Sequence, residues 1–132
     1  HDHHRHSAYL LGHVDASGFS QSQLRRLSTL VLGQRGDLSK LAMHQDDPAL
    51  MDQVMCLRLA IILHHARIEL PAKVVTLGAA RSATRNGQTV RVSRLQLAAR
   101  WAEQHPRTLH LLEEESRRWA AQGSRLLDIR IV

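Results

Sequence analysis

LMDQVMCLRLAIILHHAR, residues 50–67, decides the fold. Its apolar residues cover most of a helix circumference rather than one stripe, which places the helix in the middle of a bundle or against a partner. Leu70-Pro71 then interrupts the helical pattern, because proline lacks the N–H a helix interior needs. Upstream, Arg5 to His13 reads as a helix stopped near Gly12, followed by the turn-rich DASGFS, residues 15–20. Ser20 has N-cap chemistry with Gln23 three residues on, and Leu24, Leu27, Leu30 and Val31 recur at helical spacing until GQRG, residues 33–36. A polar HQDDP then precedes the long helix.

Downstream the character changes. VVTLGA (74–79) and QTVRV (88–92) read as short strands separated by a turn, RSATRNG (81–87), in which Asn86-Gly87 is a hairpin signal. Leu95 to Gln104 returns to helical spacing, and His105-Pro106 punctuates it. Arg107 to Gln122 predicts an amphipathic helix with the acidic Glu113, Glu114 and Glu115 outward, Gly123 is its C-cap, and RLLDIRIV alternates as a closing strand. The expected fold is mainly α with a small α+β tail. The division falls near residue 71, giving a helical part over 1–71 and a small α+β part over 72–132. Three helices are few for a self-sufficient bundle, so the chain is expected to be the C-terminal part of a larger protein.

The 132 residues carry a formal net charge of +6. Between Arg58 and Arg107 nine basic groups face only Glu69 and Glu103, and Lys40 and Lys73 are the sole lysines of the chain. Nearly all positive charge is therefore guanidinium, which suits bidentate contacts to phosphate oxygens. Tyr9, Phe19, Trp101 and Trp119 are the only phenyl or indole rings. Single-strand binders rely on several exposed rings to stack bases, so nucleic acid is disfavoured as a partner. No stretch approaches the ~18 consecutive apolar residues of a membrane span, and no signal-peptide layout opens the chain. With Cys56 as the single cysteine, no internal disulfide forms and a cytoplasmic location is expected.

HDHHRH, residues 1–6, offers imidazole and carboxylate groups at helical spacing. A metal-dependent HD-type phosphohydrolase needs a further upstream His and a distant Asp, so the reading of this segment is anion-facing and no metal site is assigned. GQRG has the form of a nucleic-acid-clamping GxxG loop, but its flanks lack the KH arrangement and a glycine helix stop is the better reading. No G-x-S-x-G elbow, P-loop or dinucleotide glycine pattern occurs, and no catalytic set is complete within the chain.

HHRHSAYLL (3–11), DASGF (15–19), LRRLSTLVLGQR (24–35), LRLAIILHHAR (57–67) with Leu70-Pro71, and WAEQHPRTLHLLEEESRRW (101–119) stand in one order. In that order they resemble the C-terminal end of the exopolyphosphatase and guanosine pentaphosphate phosphohydrolase family. The resemblance spans essentially the whole chain and is sharpest in HHRHSAYLL and in the set His105, Pro106, Thr108, Leu112, Glu113, Glu115 and Trp119. It implies a partial HD-like helical domain followed by a β-hairpin, two helices and a last strand. It also implies absent N-terminal actin-like domains that hydrolyse terminal phosphate from inorganic polyphosphate with a divalent metal, magnesium, and no cofactor in this chain. The region here would line a basic passage at a homodimer interface and hold the polymer. That role carries onto His4, Arg5, His6, Arg35, Arg58 and Arg67. Gln34 departs from the family pattern, where a His often precedes the Arg, and removes one anion contact beside Arg35. The alternatives are the same region of a guanosine pentaphosphate phosphohydrolase and a stand-alone HD-type phosphohydrolase.

Overall fold

The computed structural model describes residues 3–13, 18–65 and 73–132. Two compact units divide the chain, His1–Ile61 and Ile62–Val132.

The first unit opens with α1, His3–His13, laid against α2, Gln21–Gly33. Small residues make the approach: Ala8 is buried, its carbonyl accepts the Ser28 hydroxyl, and a Cβ on Gly12 would lie 3.5 Å from Ser28 Oγ. The expected capping box starts α2. Ser20 Oγ accepts from the Gln23 N–H at 3.1 Å, and Gln23 Oε1 accepts from the Ser20 N–H at 2.8 Å. Leu24 is the buried anchor of the predicted stripe, whereas Leu27 stays exposed.

α2 ends at Gly33 for a packing reason. A Cβ there would stand 2.9 Å from Leu41 Cδ1 and 3.3 Å from Val54 Cγ1. A 3₁₀ helix, Leu38–His44, follows with Asp37 as N-cap and buries Leu38 and Leu41. α3, Pro48–His65, begins where Asp47 Oδ1 accepts the Leu50 N–H at 3.0 Å and Pro48 takes a first-turn position. Leu50, Met51, Val54, Met55, Arg58 and Leu59 form its buried face, while Cys56 and Ala60 are exposed. The near-continuous apolar sequence thus supplies one dry face and half-buried flanks. Arg26 joins α2 to α3 by donating to Gln53 Oε1 at 2.8 Å and pairing with Asp47 at 3.4 Å. The predicted break at Leu70-Pro71 lies outside the described residues, as do Asp15–Ser17 of the DASGFS turn.

The second unit is built on a four-stranded sheet: β1 (Val75–Leu77), β2 (Arg81–Arg85), β3 (Gln88–Leu97) and β4 (Arg125–Ile131). β3 is central. β1 and β2 pair with it antiparallel and β4 pairs with it parallel. Two expectations are corrected here. RSATR is a strand, paired from Arg81↔Val92 to Arg85↔Gln88, and the turn shrinks to Asn86-Gly87, whose φ values of 51° and 77° suit a two-residue hairpin. Leu95–Leu97 is not helix but the end of β3, with β1 and β4 paired to the same three residues.

α4 (Ala99–Gln104) and α5 (Pro106–Gln122) carry the chain from β3 to β4, the helical crossover that parallel strands require. Pro106 takes a first-turn position of α5 and Gly123 closes it in the left-handed region at φ 84°. Leu95, Leu97, Leu112, Trp119 and Leu127 form the core between sheet and helices. The acidic triplet also needs correction: Glu113 is exposed, but Glu115 is 1% exposed and accepts the Trp119 indole N–H at 2.8 Å. The chain is mainly α with a small β tail, and among the described residues no helix is long and apolar enough to cross a membrane.

Candidate anion-binding site

The segment from Gly33 to Lys40 links α2 to the 3₁₀ helix, and it is where sequence-predicted cations meet. Gly36 takes φ 81°, a left-handed backbone that a residue with a Cβ adopts only under strain. The turn brings the Gly33 and Gly36 carbonyls within reach of one side chain. Arg58, 2% exposed, donates from Nη1 to Gly33 O at 2.9 Å and from Nη2 to Gly36 O at 2.8 Å. A planar fork is what serves two carbonyls at once, and an ammonium lacks that geometry. Arg58 therefore shapes the segment from inside the unit, as a positioning residue.

Lys40 closes the other side. Its Nζ donates to Arg35 O at 2.6 Å and lies 3.3 Å from His4 Nε2. An ammonium has only donors, so in this contact His4 Nε2 is the acceptor. The contact ties α1 to the Gly33–Lys40 segment. Arg35 is exposed, and its side chain makes no hydrogen bond or ion pair among the described residues. The result is a turn held from both sides, in which the Lys40 ammonium lies against the Arg35 carbonyl and the His4 imidazole, and the exposed Arg35 side chain leaves from the same turn.

Of the six predicted positions, His4, Arg35 and Arg58 converge on this turn. Arg5 and His6 are exposed on the first turns of α1, next to His4 in sequence. Arg67 lies outside the described residues. Lys40 was not legible as a site residue, because an isolated lysine in a 3₁₀ helix has no periodic or motif signal. Only its distance of four residues from Gly36 hints at the role. His1 and Asp2 also lie outside the described residues, and among the described residues no group of three or more His, Cys, Asp or Glu side chains is placed to hold a metal ion.

A match to a protein-family model decides the affiliation: residues 1–116 match Ppx/GppA phosphatase, domain III. The chain belongs to the Ppx/GppA phosphatase family. The matched span includes the whole Gly33–Lys40 turn, Arg58 and the first part of α5. In this member of the Ppx/GppA family, several residues at the start of α5 and along its inner face serve packing. His105 stacks on Trp101 with ring centroids 4.6 Å apart and bonds Trp101 O at 2.8 Å, Thr108 is buried, and Glu115 holds Trp119.

Proposed function

We propose that this chain is the C-terminal polyphosphate-binding and dimerisation region of a cytoplasmic exopolyphosphatase, and that the Gly33–Lys40 turn with His4, Arg5 and His6 holds the polymer. Hydrolysis of the terminal phosphate, with a divalent metal such as magnesium, is assigned to actin-like domains outside this sequence. The observation that carries the reading is the Arg58-clamped turn, where Lys40 Nζ bonds the Arg35 carbonyl and meets His4 while the Arg35 side chain stays exposed. The composition agrees with it. Polyphosphate offers dense charge and no base to stack on, which fits abundant arginine and only four phenyl or indole rings. Guanosine pentaphosphate is the second ligand that family membership supports.

The test is a titration of the chain with long-chain polyphosphate at rising salt, with single-stranded DNA of matched charge and guanosine pentaphosphate as competitors. The reading predicts that polyphosphate binds, that affinity falls with salt as counterions are released, and that DNA fails to displace it. Equal competition by DNA contradicts it, and preferential displacement by guanosine pentaphosphate moves the assignment to the nucleotide. Light scattering on the same samples tests the dimer. A dimeric mass is expected, and a monomeric mass across a dilution series removes dimerisation from the proposal.

A further inference from the structure

The second unit carries another arginine arrangement, made of residues that the Gly33–Lys40 turn does not use. In the parallel pair of β3 and β4, Arg94 stands opposite Asp128 and Gln96 opposite Arg130. Strand alternation puts Leu95, Leu97 and Leu127 into the core and sends Arg94, Gln96, Asp128 and Arg130 to the other face. The Arg94, Asp128 and Arg130 side chains are 35%, 31% and 58% exposed. Thr76 of β1 pairs with Gln96 and is exposed as well. Cross-strand partners share a face, so Thr76, Gln96 and Arg130 form one polar row across three strands.

Asp128 Oδ2 accepts from Arg94 Nε at 3.1 Å and from Arg130 Nε at 3.0 Å. Both arginines are thus held by their Nε edges, and among the described residues their Nη groups bond nothing. Burial pushes the Asp128 carboxyl up, but hydrogen bonds and charge from Arg130 and Arg94 outweigh it and hold the carboxyl below the usual range. It stays ionised and keeps both guanidinium groups oriented. One carboxylate against two guanidinium groups leaves an excess positive charge, and four amino groups remain to donate. A guanidinium fork matches the spacing of phosphate oxygens. Trp101 and Trp119 are buried, so no indole on this face stands ready to stack a base.

We propose that Arg94 and Arg130, oriented by Asp128 and flanked by Gln96 and Thr76, form a second binding site for phosphate oxyanions on the open face of the sheet. The site stands independently of the turn in the first unit. Its ligand is either a free phosphate or diphosphate group or an interior stretch of a phosphate polymer.

The test follows the Arg94 and Arg130 Nε–H resonances by NMR while the full chain is titrated with inorganic phosphate, pyrophosphate and long-chain polyphosphate. It is run on the native sequence and on a chain carrying Arg35→Ala and Lys40→Ala, so that loss of the turn and loss of the sheet site are read separately. Saturable shifts of both resonances are expected in both backgrounds. Response to phosphate or pyrophosphate identifies a site for a free group, and response to polyphosphate alone identifies a site for a chain. Arg130→Lys is expected to weaken binding about tenfold at retained charge, because the fork is lost, with circular dichroism confirming the fold. Absence of shifts with all three probes overturns the proposal. So does an Arg130→Lys chain that binds as tightly as the native one, since binding would then follow charge alone.

Discussion

Trp119→Ala is expected to destabilise the chain by about 3–5 kcal/mol, the range for deleting a large aromatic from a packed core. Trp119 is 0% exposed and sits in the core with Leu112. Two effects add. The cavity forfeits the contacts of an indole, and buried Glu115 loses the N–H that lies 2.8 Å from its carboxylate. Trp119→Phe separates them, because it keeps most of the ring and removes the donor. A cost of about 1–3 kcal/mol is expected for that variant. Urea denaturation followed by far-UV circular dichroism measures both. A loss under about 1 kcal/mol for Trp119→Ala would place the indole outside the cooperative core and contradict the packing described for α5.

Arg58→Ala is the second large effect. It removes two charge-assisted hydrogen bonds, each worth about 1.5–3 kcal/mol, and leaves the Gly33 and Gly36 carbonyls short of a donor. A destabilisation of roughly 3–5 kcal/mol follows on that account. Arg58→Lys retains the charge but reaches one carbonyl at most, so it falls between the native chain and Arg58→Ala. The two readouts of Arg58→Lys, stability and polyphosphate affinity, are expected to fall together, because this residue acts by shaping the turn. Retained stability with lost affinity would instead mean that Arg58 touches the anion directly.

What the sequence made legible was mostly local. Ser20 and Gln23 announce the start of α2, Asn86-Gly87 the hairpin, and Gly123 the end of α5, because each signal and its partner lie within four residues. What stayed hidden depends on distant neighbours. Arg81–Arg85 is exposed at every position, so no apolar alternation marks it, and its strand state comes from pairing with β3. Leu95 fits a helical spacing as well as a strand, and the register with β1 and β4 decides between them. Glu115 looked solvated as one of three adjacent acids, yet Trp119, one helical turn on, draws it inward.

The candidate site divides the same way. An arginine excess and the GQRG glycines are visible in the sequence, and they point to an anion and a turn. The clamp is not visible, since Arg58 reaches carbonyls 25 and 22 residues upstream. Its guanidinium also donates to the backbone carbonyls of Gly33 and Gly36, a contact that no spacing in the sequence announces. Lys40 enters the site through His4, which lies 36 residues before it. Composition thus indicated a ligand class, while the fold selects which cations stand beside the turn.

The most direct test of the central claim is the affinity of the chain for long-chain polyphosphate with and without Arg35→Ala and Lys40→Ala, measured by calorimetry across a salt series. Each substitution is expected to weaken binding, the pair by about tenfold or more, and the dependence of log Kd on log salt is expected to become shallower by about one unit per cation removed. Unchanged affinity and an unchanged salt slope in the doubly substituted, folded chain would contradict it and take the polymer away from the Gly33–Lys40 turn.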